Sequence, residues 1–129
     1  MLDRIEIELA FRGEPEEEIK AILGETGANQ IEGRSQVGFT GIETVLVCFL
    51  LITQTANLVG RLARLFKKGV VVAVSADGRK VSIEKNDDIP RGSVLLVRPD
   101  RTQVTLEEPT EMQLESWLKD VVKAVWGAH

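Results

Sequence analysis

The sequence predicts a single α+β domain over residues 1–129, built on a mainly antiparallel sheet. Three observations predict it. The first residues alternate apolar and polar at period two. Two pairs of β-rich runs are joined by short turns, which connect only antiparallel neighbours. The last stretch carries an apolar stripe at helical spacing. A composition of 43% apolar and 28% charged residues suits a chain with its own core. At 129 residues such a core needs no disulfide or metal to form.

Ile5, Ile7, Leu9 and Phe11 recur at every second position, the pattern of a half-buried strand. The charges at Arg4, Glu6 and Glu8 between them are incompatible with a signal-peptide core. Pro15 followed by Glu16, Glu17 and Glu18 favours a helix start. That helix is predicted over 15–23, with Ile19, Ile22 and Leu23 on one face and Gly24 as its stop. Residues 24–41 hold five of the eleven glycines and read as a mobile connection, with a brief strand over 35–39.

Residues 44–60 contain no charge, and 44–52 is apolar on every side. Joined to the leucine-rich and basic residues up to 66, this run predicts a long central helix over 42–66 whose first half is bare of polar groups. Such a helix lies in a core, at an interface or in a membrane. Val45, Leu46, Phe49, Leu50 and Ile52 are its candidate partner or self-association residues. Gln54, Asn57, Arg61, Arg64 and Lys68 recur at spacings of three and four, so Arg61, Arg64 and Lys68 are predicted to form a basic stripe.

After Gly69 the pattern turns to sheet. Runs 70–75 and 80–85 flank Asp77-Gly78, among the strongest short-range hairpin signals. Runs 93–98 and 103–107 flank Pro99-Asp100, a type I turn pattern. Residues 70–72 and 94–97 are apolar on both faces and predict central strands. A final helix over 110–126 starts at the Thr110 cap and presents Leu114, Trp117, Leu118, Val121, Val122 and Val125 on one stripe.

Reactive residues are scarce. The single cysteine, Cys48, lies in an apolar run, where a thiolate is disfavoured, and reads as core. The single histidine, His129, is the last residue, and the chain has no tyrosine. Zinc sites, Cys–His pairs and Ser–His–Asp triads are therefore not expected. Asp87-Asp88 reads as a solvated turn without the spacing of a calcium loop. The glycines of 24–41 match neither phosphate-binding motif, and 33–38 misses the nucleophile-elbow spacing by one residue. These observations predict no catalytic residue, no cofactor and no metal. A net charge of -4 and a pI near 5.1 argue against a general nucleic-acid binder.

The order of elements resembles the small effector-associated constant component family of bacterial conflict systems. The likeness rests on 5–11, 41–59, the Arg61-Leu62-Ala63-Arg64-Leu65 segment and 70–83 around Asp77-Gly78. Residues 86–109 add a second hairpin outside that pattern. The resemblance implies a non-catalytic accessory component acting beside an effector such as a protease. The expected function is thus a cytoplasmic interaction module whose segment 42–66 docks an effector or a second copy of the chain. Two other readings stand beside it. One is a membrane-associating protein that inserts the same helix, and the other is a small-ligand binder or carboxylate enzyme.

Overall fold

Alternation decides the first strand. The computed structural model describes residues 4–12, 16–38 and 41–127. In it β1 (Ile5–Phe11) buries Ile5, Ile7, Leu9 and Phe11 and leaves Glu6, Glu8 and Ala10 half-buried on the other side. Helix α1 (Glu16–Glu25) opens on three glutamates and buries Ile19 and Leu23. It runs through Gly24 and stops at Gly27, whose φ of +103° is open to glycine at little cost. There Gly27 N–H donates to the Gly24 carbonyl and Ala28 N–H to the Leu23 carbonyl, a Schellman ending that satisfies two otherwise orphaned carbonyls.

The next segment departs from expectation twice. Residues 24–41 are largely a strand, β2 (Asn29–Gly38), paired antiparallel with β3 (Gly41–Leu50). The predicted helix over 42–66 is therefore two elements. Its first half is β3, and only its second half is helical, as α2 (Ile52–Leu65). A short run that is apolar on both sides carries no period, so a doubly flanked strand and a buried helix look alike in it. Valines at 45 and 47 fit the pleated surface better than a helix. Leu51 is the junction: its backbone is extended, and its N–H donates to Gln54 Oε1 at 2.8 Å across the first turn of α2.

The remaining elements keep the predicted order. Strands β4 (Gly69–Val74) and β5 (Lys80–Asn86) make the Asp-Gly hairpin, and β6 (Ser93–Val97) and β7 (Gln103–Glu107) make the second. At the first turn Asp77 Oδ1 accepts from Ser75 Oγ and Arg79 N–H, and Gly78 takes φ +71°. Helix α3 (Glu111–Gly127) starts on a reciprocal box. Gln113 N–H donates to Thr110 Oγ1, and Thr110 N–H donates to Gln113 Oε1.

The strands form one seven-stranded sheet in the order β2-β3-β1-β5-β4-β6-β7. Four pairings are antiparallel and two, β1–β5 and β4–β6, are parallel. The fold is thus α+β with a mostly antiparallel sheet. One cluster joins Ile7, Leu9, Leu46, Cys48, Val72, Ile83 and Leu96 of the strands to Leu23 of α1, Leu58 and Leu62 of α2, and Leu118 of α3. The three helices therefore lie on the same face. Among the described residues, the single ladder joining the strands before α2 to those after it is β1–β5. Across that seam α2 packs on α3 and on β4.

Candidate protein-binding face

Because side chains alternate across a strand, the register that points Leu46, Ile7, Ile83 and Val72 at the helices points their neighbours away. One row across this outer face reads Glu32, Val47, Glu8, Ser82, Ala73, Val97, Gln103. The row beside it contains Val45, Ala10, Glu84, Val71, Leu95 and Thr105. Phe49, opposite Glu6, is 49% exposed on the same face. The outer face is therefore a field of aliphatic residues with glutamates set through the half built by β3, β1 and β5.

The aliphatic content is concentrated on β3 and on the parallel pair β4–β6, and the parallel pair β1–β5 is polar on this side. β4 and β6 place Val71, Ala73, Leu95 and Val97 outward, each half-buried, opposite the fully apolar set they send into the core. Strands paired in parallel are ordinarily covered on both faces and read as continuous apolar runs. Here the helices cover one of those faces.

Charge on this face is mostly negative. Lys80 Nζ lies 3.0 Å from Glu8 and 3.9 Å from Glu6, so the one lysine of these rows is already held between two carboxylates. Glu84 lies further along β5, opposite Ala10 and Val71. Partial desolvation, and then the Glu43 carboxylate, raise its pKa above the ordinary glutamate value.

The predicted partner residues separate across the sheet. Leu46 and Leu50 point into the core with no exposed surface, and Ile52 packs against the core at the start of α2. Val45 faces outward but is only 2% exposed. Of the five, Phe49 alone is broadly accessible. Cys48 is buried, and burial pushes its thiol up to about 11. The basic stripe also breaks up. Arg61 is ion-paired with Glu25 and ties α2 to α1, whereas Lys68 lies beyond the end of α2. Arg64 stays on the helix and turns its Nε–H back to the Gly60 carbonyl at 3.2 Å.

The outer residues Val47, Val71, Ala73, Leu95 and Val97 are absent from the predicted site. Their signal is present in the sequence nonetheless, in runs 45–50, 70–74 and 94–97 that are apolar at consecutive positions. Among the described residues, no three or more His, Cys, Asp or Glu side chains gather as a metal site would require. Among them, too, no helix is long and apolar enough to cross a membrane. The helix predicted for insertion is half strand, and α2 has only 14 residues, Arg61 and Arg64 among them. No protein-family model, curated protein or solved structure matches this chain.

Proposed function

We propose that this chain is a non-catalytic bacterial interaction module that works in the cytoplasm beside an effector protein. Its docking surface is the outer sheet face around Phe49, Val71 and Leu95. The observation that carries this reading is the pair of parallel strands, β4 and β6, apolar outward as well as inward while helices cover only the inward side. Half-buried valines and leucines grouped in this way are the usual mark of a contact surface.

Charge selects the occupant. In an isologous pair, each face meets a copy of itself. The outer positions of β1, β5, β6 and β7 offer Glu6, Glu8, Glu84 and Glu107 against a single, already engaged Lys80. The register also puts Arg34 opposite Val45 in one of these rows, so a second copy brings glutamates in excess of basic residues. The fitting partner is an effector segment with apolar residues on one stripe and lysine or arginine on its flanks, such as a basic amphipathic helix.

A leucine–lysine peptide of helical spacing, titrated into 15N-labelled protein, tests the proposal. The expected result is saturable shifts confined to amides of β3, β4, β5 and β6, weakened at least tenfold by Leu95→Lys or Glu84→Lys and weakened again by added salt. Shifts confined to the helices, or equal binding by both variants, overturn the face assignment. A discrete dimer by light scattering, dissociated by Leu95→Lys, replaces the effector segment with a second copy.

A further inference from the structure

A groove of about 700 Å³ opens in the helix layer, between α2, the loop that precedes β6 and the entrance to α3. Its volume is that of a small-molecule site, and it is separate from the outer sheet face. Two arginines line it, Arg64 from α2 and Arg91 from the loop. Each is fixed by the backbone. Arg64 Nε–H donates to the Gly60 carbonyl at 3.2 Å, and Arg91 Nη2 donates to the Arg64 carbonyl at 3.1 Å. These bonds use one N–H of each guanidinium and leave most of the five-donor fork unspent on both.

Two glutamates line the same groove, yet neither arginine is ion-paired with a carboxylate among the described residues. Glu111 instead accepts from Asn57 Nδ2 at 3.2 Å. Glu108 is held at φ +45°, a left-handed conformation that L residues adopt only under strain. Its N–H donates to the Gly92 carbonyl, and its side chain lies over Gly92, where an added Cβ would meet Glu108 Cγ at 3.3 Å. Strain of this kind gathers where a backbone is shaped for a ligand. The N-terminus of α3 borders the groove but is already closed by Thr110 and Gln113, so it is not the anchor.

We infer that this groove binds a small molecule through an oxyanion, a phosphate ester or a carboxylate, held by the Arg64 and Arg91 guanidinium groups. A planar guanidinium fork matches the two-oxygen geometry of such groups. Arg91 has a structural share as well, because it satisfies a carbonyl at the C-terminal end of α2.

Titration of 15N-labelled full-length protein with pyrophosphate, and separately with succinate, at low ionic strength tests the inference. Saturable shifts are expected at Gly60, Arg64, Gly92 and Glu111, with pyrophosphate tighter if the natural head group is a phosphate and succinate tighter if it is a carboxylate. Arg64→Gln leaves the Arg91 bond to the helix carbonyl in place, and it should weaken binding at least tenfold with an unchanged melting temperature. Arg91→Lys keeps the charge but removes the fork, and it should weaken binding to a similar degree. Linear shifts without saturation for both anions overturn the site. So do equal affinity in Arg64→Gln, or shifts spread over Arg79, Arg98 and Arg101.

Discussion

Cys48 shows how one side chain is governed by its place in the sheet. It faces the helices opposite Ile7, with about 1% of its surface exposed, and burial raises its thiol pKa to about 11. Only thiolate reacts, so a thiol reagent at pH 8 should leave the folded protein unmodified and label it promptly in denaturant. Stoichiometric labelling of the native protein within minutes would contradict the burial. Cys48→Ser should cost roughly 1–3 kcal/mol in chemical denaturation, because the hydroxyl enters a site with apolar neighbours. Trp117 and Trp126 show the other side of burial. Their rings pack on the core under Arg98 and Arg79, with 5.8 Å and 5.7 Å from guanidinium carbon to ring centroid. Their indole N–H groups are nevertheless buried without a hydrogen-bond partner among the described residues. The Trp117 ring thus packs against the core with the rest of its stripe, half-buried.

Among the elements, the Asp77-Gly78 turn is the most sharply specified. Gly78 combines φ +71° with close approach, since an added Cβ would lie 3.1 Å from Trp126 Nε1 and 3.2 Å from Val125. Gly78→Ala should therefore destabilise the fold by roughly 1–2 kcal/mol in a denaturant melt, from the backbone alone, with a further cost as α3 shifts away. A stability equal to wild type would show that the turn tolerates a side chain there. This hairpin is legible in the sequence because its turn chemistry is local, and so are β1, through its strict alternation, and α3, through its cap and stripe. β3 is not legible, because apolar residues on both sides leave no period to read. β2 is hidden for the opposite reason: Gly33 and Ser35 occupy two of its core-side positions. Phe49 is accessible as expected of a contact residue, but on a strand rather than a helix. Once the segment is a strand, Phe49 and Leu50 point to opposite faces; Val45, Leu46 and Leu50 are buried, and Ile52 is half-buried.

At the level of the whole molecule, the two proposed sites use different layers. The outer sheet face is acidic and aliphatic and suits a basic polypeptide segment. The groove in the helix layer presents two fixed guanidinium groups and suits a small anion. α2 links the layers, since it comes directly after β3 and carries Arg64 near its far end. The order β2-β3-β1-β5-β4-β6-β7 also divides cleanly at α2: every strand before the helix lies on one side of the β1–β5 ladder, and every strand after it lies on the other. The chain can thus be cut in the exposed Lys67-Lys68 link without separating any strand from its neighbours within a half. Fragments 1–67 and 68–129, co-expressed, should reassemble through the β1–β5 ladder and the contact between α2 and α3, and co-purify as a one-to-one complex. Fragments that stay apart would show that the seam depends on the covalent link. If they reassemble, the domain is a natural split reporter whose two pieces signal by meeting.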